Sequence, residues 1–410
     1  MQSKLRYSPL LLFQLATLIL MAVLPFSRAL ISISTGIIFI SAILEFFSQK
    51  KPIDFKNVYF ICLALLVLFC VLDGLRVYSV NDWVKGIEIK LPLLLLPFGY
   101  LVFRLHISYP FKILLATIFT ASISVATLAS IYNYIANYKE INQLVLQSRH
   151  VPIIGGMHHI TFSVYCAVAV LISALIAYKT GKKWFWVPAT INFIGLHVLT
   201  ARTGLAGFYF SLLVASFVYF LRNKPKPQFI VGGVLAAVII PVIAFFTVGS
   251  FHNRVLNTWD DLRVMMQQKD ANYQSMGMRV EATKTAFYII KKNPFIGVGF
   301  SNITHAMAAQ YEENNSNLFL ENRILPHMQL VMEAAVHGIL GLMVMLLFFI
   351  WPILNGLSKQ TTMFVFLWSL ILFACLFECL FDRQHGILLI GFFWFLFHDF
   401  EPKRSELNSV

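Results

Sequence analysis

Long apolar runs recur from one end of the chain to the other, broken by short polar segments and one polar stretch of nearly eighty residues. Most reach the roughly 17–22 residues that a helix needs to cross a bilayer. About twelve are present, over 9–27, 29–48, 57–73, 90–103, 113–134, 160–178, 184–200, 205–221, 229–248, 327–353, 361–380 and 386–398. The fourth and twelfth are short. The pattern predicts an all-α, polytopic integral membrane protein with about twelve transmembrane helices. The polar stretch divides them unequally. Residues 1–248 carry nine spans, 249–326 form a large loop, and 327–410 carry three spans and a tail. No internal repeat appears, and the three segments are read as one integrated membrane domain.

Inside the loop, residues 279–292 place Ala282, Ala286, Ile289 and Ile290 on one helical face. Lys291-Lys292-Asn293-Pro294 ends that helix, and Gly297-Val298-Gly299 gives a turn. Residues 310–325 are polar and expected to be mobile. A second polar segment, 135–159, carries His150, His158 and His159.

Composition agrees with the pattern. Hydrophobic residues make up 58% of the chain and charged residues 12%, about half the charge of a soluble domain. The net charge of +13 speaks to topology. A nucleic-acid surface needs basic residues clustered on one soluble face, and none is seen. Lys4, Arg6, Lys50, Lys51, Lys56, Arg104, Lys112, Lys179, Lys182, Lys183, Arg222, Lys224, Lys226, Lys359, Lys403 and Arg404 fall in one set of alternating segments. The other set holds half as many. The positive-inside rule then places both termini in the cytoplasm and 249–326 outside. Lys4 and Arg6 precede the first run as in a signal sequence, but no small-x-small cleavage site follows, so it is read as an uncleaved span. All five cysteines fall in apolar runs, where neither a disulfide nor a zinc site is expected, and Cys375 and Cys379 sit four apart on one helix.

Pro326 suits a first helical position, which puts His327 in the first turn of the 327–353 helix, near the lipid–water boundary. A histidine there can move protons at neutral pH, or simply cap the helix. Arg202 lies in a short external turn, Thr200 to Gly204, where it either grips a phosphate or anchors the topology. Arg279 opens the predicted 279–292 helix against its dipole, which suits an anion site or a solvated charge. Glu45, Asp73, Glu333 and Glu378 lie within or at the ends of spans and are functional candidates, with Glu45 and Asp73 near the interface. His158 and His159 are adjacent, a poor arrangement for one metal, and Asp260-Asp261 is a weak metal candidate. The first external loop, Ser27-Arg28, has no acid to hold a divalent cation. Neither a metal nor another cofactor is expected. Ala334, Gly338 and Gly341 form a small-residue face that lets another helix approach the His327 helix.

Together these pieces resemble the O-antigen ligase / O-antigen polymerase family of bacterial inner-membrane proteins. Arg202 in its turn is one match. Arg279 followed by Asn293-Pro294-Phe295-Ile296-Gly297-Val298-Gly299 is similar to the family's R…NPxxGxG stretch. His327, with ten residues between it and Gly338-Ile339-Leu340-Gly341, is similar to its H[NSQ]x9GxxG motif. The Met157-His158-His159-Ile160-Thr161-Phe162-Ser163 segment is similar to one branch of the family. Met328 departs from the family's Asn, Ser or Gln, and Gln329 stands in as a polar neighbour.

The resemblance implies a GT-C-like membrane glycosyltransferase, acting at the periplasmic face without metal. The donor is a glycan on undecaprenyl pyrophosphate. The acceptor is a hydroxyl of the lipid A core for a ligase, or of a growing glycan for a polymerase. His327 would be the base, and Arg202 and Arg279 would hold the pyrophosphate. Membrane lipids are partners and nucleic acid is not. A transporter or flippase is the reading from another class. Intramembrane acids favour it, while the missing repeat and unequal division of spans count against it.

Overall fold

Apolar runs become helices along the whole chain of the computed structural model. It describes all residues except 1, 49–52, 54, 148, 224–226, 267–271, 273, 398–399 and 401–410. Lys50, Lys51, Lys224, Lys226, Lys403 and Arg404, counted above for topology, lie outside the described residues, as do the tail from 401 and the end of the twelfth run.

The first half runs α1 (Gln2–Val23), α2 (Arg28–Ser48), α3 (Val58–Leu72), α4 (Val80–Lys90), α5 (Pro92–Phe103), α6 (Tyr109–Ala136), α7 (Tyr138–Leu146), α8 (His159–Thr180) and α9 (Trp186–Leu199). The second half runs α10 (Arg202–Asn223), α11 (Pro227–Thr247), α12 (Gly249–Met266), α13 (Ser275–Lys292), α14 (Ile303–Glu313), α15 (Gln329–Leu354), α16 (Thr362–Cys375), α17 (Gln384–Leu388) and α18 (Trp394–Phe397). Side chains start several spans. Asn57, Ser108 and Thr361 accept the backbone N–H groups of Phe60, Phe111 and Phe364, satisfying donors that a helix start leaves open.

Among the described residues, seven helical stretches are long and apolar enough to cross a membrane, or eight if the pair α11–α12, bent by 101°, counts as one span. Three shorter apolar helices, Pro9–Val23, Thr362–Cys375 and Gln384–Phe397, accompany them. The chain is therefore an all-helical, multi-pass membrane protein, and the described residues do not confirm the count of twelve. The short fourth run is part of a longer stretch, Val80–His106, that takes in α4 and α5, and α12 turns sharply away from α11 where the ninth run ends.

α1 packs along α2, α8 along α9, and α10 along α16, while α15 leans on α3 and α13. α8 lies at the centre, with every side chain from Ile160 to Ala169 buried. A helix apolar all round belongs in such a place.

α15 departs from the expectation for its small-residue face. It kinks at Gly338, where φ is 63° and ψ −152°, a conformation open only to glycine. What approaches this face is the main chain of the turn after α13. Val298 and Gly299 donate N–H bonds to the Ala335 and Val336 carbonyls, and Ile339 donates to that of Pro294. A Cβ on Gly338 would stand 2.4 Å from the Phe295 backbone.

Residues 310–325 are also more ordered than their polarity suggests. α14 extends through Glu313, and Tyr311, 1% exposed, donates its hydroxyl proton to the Ile324 carbonyl at 2.9 Å. Asn272 accepts from Phe319 N–H and Asn322 Nδ2, closing the segment.

Candidate active site

His327 is not in the first turn of its helix. α15 begins at Gln329 with Met328 in extended conformation, so His327 sits on the strand-like lead-in after Pro326. There its ring faces the connection between α16 and α17. Nδ1 lies 3.4 Å from Glu378 Oε1. Glu378, read above as lying within or at the end of a span, is on that connection and is buried. Cys379 also lies beyond α16, not on one helix with Cys375, and its thiol donates to the Pro326 carbonyl at 3.2 Å. The connection is thereby clamped against the His327 segment.

Glu378 gathers three cationic or ionisable groups. Arg383 Nη2 lies 2.6 Å from its Oε1, and Arg279 Nη2 3.9 Å from its Oε2. Burial alone would raise this carboxyl. The His327 hydrogen bond and the charges of Arg383, His327 and Arg279 outweigh burial and hold it below the ordinary carboxylate value. Arg279 also donates Nη1 to the Phe377 carbonyl at 3.3 Å. It lies one turn inside α13, which starts at Ser275, so no helix terminus explains its position. Burial lowers its pKa, Glu378 offsets that, and Arg202 and Arg383 add repulsion.

Arg202 opens α10 after Thr200, whose φ of 51° makes the turn. Its fork spans α12, with Nη1 on Asp261 Oδ2 at 2.9 Å and Nη2 on Asn257 Oδ1 at 2.5 Å. Arg254, one turn earlier on α12, and Arg279 are both within electrostatic reach of Arg202. Beside Arg254 stand three histidines. His150 and His159 stack at 4.0 Å with planes 4° apart, and His158 packs on His159 at 4.3 Å. His158 in turn feels Arg383, Glu378 and His327. Pairwise contacts and electrostatic couplings thus link Arg202, Arg254, the histidines, Arg383, Glu378 and Arg279 into one ring of neighbours. It holds four guanidinium groups and two carboxylates, Asp261 and Glu378, an excess of two positive charges. Among the described residues no group of three or more His, Cys, Asp or Glu side chains is arranged to hold a metal ion.

Gln329 lies apart from this space. It is fully buried, accepts from Phe381 N–H at 2.9 Å and donates Nε2 to Asp382 Oδ2 at 3.4 Å. It braces the α16–α17 connection from below. Behind it runs a buried ionic chain. Lys90, with no exposed surface, lies 2.5 Å from Asp382 and 4.0 Å from Glu333. Glu333 meets His337 Nδ1 at 3.3 Å, and His337 Nε2 meets Asp73 at 3.4 Å. Asp73, near the end of its span, pairs with Arg76 and accepts Phe300 N–H and is buried. A cavity of about 730 Å³ between Arg76, Tyr78, Pro294, Phe295 and His305 shares no residue with the ring.

A histidine on a buried carboxylate, with arginines beside it in a multi-pass membrane protein, is a setting suited to proton transfer next to an anion. The family model described as O-antigen ligase matches residues 187–346, the stretch that supplies Arg202, Arg254, Asp261, Arg279 and His327. Over that stretch the chain is similar to the O-antigen ligase family, a match that supports a function of the ligase/polymerase glycosyltransferase type. No curated protein matches the chain.

Glu378, Arg383 and Arg254 are the members of the ring that the sequence did not single out for these roles. Glu378 stood out only as an acid in an apolar run.

Proposed function

We propose that the protein transfers a glycan from undecaprenyl pyrophosphate to a sugar hydroxyl of the lipid A core, at the periplasmic face of the bacterial inner membrane. One observation carries the reading: His327 turns Nδ1 to a buried carboxylate within a ring of arginines. A carboxylate accepts, so Nδ1 carries the proton and Nε2 keeps a lone pair. Nε2 then takes the acceptor hydroxyl proton as the oxygen attacks the anomeric carbon. The bond from that carbon to the pyrophosphate oxygen breaks, and configuration inverts. Glu378 stabilises the imidazolium until water removes the proton. Arg202 and Arg279, with Arg254 and Arg383 close by, take up the charge of the leaving pyrophosphate. The two uncompensated positive charges suit a pyrophosphate diester, which carries two negative ones.

The same chemistry serves a polymerase, whose acceptor is a further repeat unit. Glycan length in a deletion strain separates the two. Lipid-linked polymer that accumulates while long chains vanish from lipid A core supports the ligase, and single repeats on core support the polymerase. Purified protein that moves labelled glycan between lipids without an ion gradient supports an enzyme over a transporter. The domain reading, with nine spans before a periplasmic segment 249–326 and both termini cytoplasmic, is part of the proposal. A Ser316→Cys protein should react with a membrane-impermeant thiol reagent in cells with a permeabilised outer membrane, and labelling only from the cytoplasm would overturn the orientation.

A further inference from the structure

We infer that His150, His158 and His159 form a saccharide subsite that holds the acceptor sugar beside His327. The inference rests on the transfer reaction proposed above. The ring has two chemically different sides. Guanidinium groups match phosphate, whereas a sugar offers neutral hydroxyls that both donate and accept. A neutral imidazole has one nitrogen of each kind and suits them.

Several observations make the stack such a surface. His150 and His159 lie face to face at 4.0 Å, an arrangement that two imidazolium charges would oppose. Burial, with the charge of Arg383 added, pushes His158 down to about 4, and burial with Arg254 also lowers His150. The rings are therefore neutral at pH 7. Nδ1 of His158 and of His159 are buried and have no hydrogen-bond partner among the described residues. Buried polar atoms rarely stay so without one. The stack is also next to the reacting centre, since Glu378 and His327 both act electrostatically on His158.

The loop carrying His158 is held for the purpose. Gly155 adopts φ 132°, where a Cβ would lie 2.3 Å from the Pro25 carbonyl oxygen. Gly156 donates N–H to that carbonyl, and Arg28 Nε donates to the Gly156 carbonyl. Gln384, next to Arg383, donates to the Arg28 carbonyl at 3.1 Å. Loop, α2 and the α16–α17 connection thus form one frame, with His158 in electrostatic reach of Arg383, Glu378 and the base.

The test uses the full-length protein in detergent or nanodiscs. The donor is an undecaprenyl-pyrophosphate-linked glycan, and the acceptors are a lipid A core glycolipid and, separately, the lipid-linked repeat itself. His158→Ala/His159→Ala should raise the KM of whichever acceptor is used about tenfold or more, as expected for two lost hydrogen bonds. Its affinity for undecaprenyl pyrophosphate alone should stay within about threefold, and His158→Gln, which keeps a polar side chain, should recover part of the acceptor affinity. An unchanged acceptor KM, or an equal loss of undecaprenyl pyrophosphate affinity, would overturn the subsite. If the wild-type protein transfers to neither acceptor, the transfer reading fails. The subsite is then judged by direct titration of both glycolipids. Weaker binding by the double variant supports it, and equal binding by both proteins sinks it.

Discussion

His327 Nδ1 lies 3.4 Å from Glu378, and the same carboxylate meets Arg383 at 2.6 Å and Arg279 at 3.9 Å. One buried acid therefore orients the proposed base and two cations together. Glu378→Gln keeps the shape and removes the charge that selects the Nδ1–H tautomer. Transfer should slow by on the order of 10²-fold or more, with undecaprenyl pyrophosphate still bound. Steady-state rates at saturating donor check this, and a variant within threefold of wild type would make the contact structural.

Arg202 sets its planar fork on Asp261 and Asn257, and Arg279 sets its own on Glu378 and the Phe377 carbonyl. Arg202→Lys and Arg279→Lys keep the charge and lose the bidentate geometry. Each should cut kcat/KM for the donor at least tenfold at matched protein level. Normal turnover of both lysine variants would remove them from the site.

Lys90 is buried without solvent and balances Asp382 and Glu333. Removing one partner of a buried pair leaves an uncompensated charge and costs about 3–5 kcal/mol. Lys90→Met should lower the thermal midpoint in detergent sharply, and Lys90→Met/Asp382→Asn should recover part of the loss. Two variants that melt together would show that Asp382 is not the group left stranded.

Burial and the charge of Arg383 push His158 down to about 4, against about 6.5 in an unfolded chain. Between those values the unfolded chain binds a proton that the folded chain refuses. Stability should therefore be full above about pH 6.5 and fall as the pH drops toward 4. The thermal midpoint of wild type should drop between pH 7 and 5, and that of His158→Gln should drop less. Equal slopes would contradict the assignment.

Much of this arrangement was legible in one dimension. Apolar runs announced the helices, and Lys291 to Pro294 announced the end of α13, because those signals are local. The Arg202 turn and the Gly297–Gly299 turn were local too. The places where the reading departed are tertiary. Pro326 looked like a helix start, but the bond from Cys379 to its carbonyl belongs to an extended segment that presents His327 sideways. Gly338 looked like a helix-packing residue, yet it is the kink that receives the main chain of 294–299. Tyr311 sits in a polar stretch whose order comes from bonds to Ile324 and through Asn272. Glu378 is fifty-one residues from His327, and no spacing rule pairs residues across that distance.

The central claim is that His327 removes the acceptor proton while the arginines hold the donor. The most direct measurement is in vitro glycan transfer by His327→Ala, compared with wild type at equal occupancy by the lipid pyrophosphate donor. His327→Ala should fold, bind donor normally and transfer about 10²–10⁴-fold more slowly, with His337→Ala affecting transfer less at matched folded protein. A His327→Ala protein that transfers at a near-normal rate would contradict it.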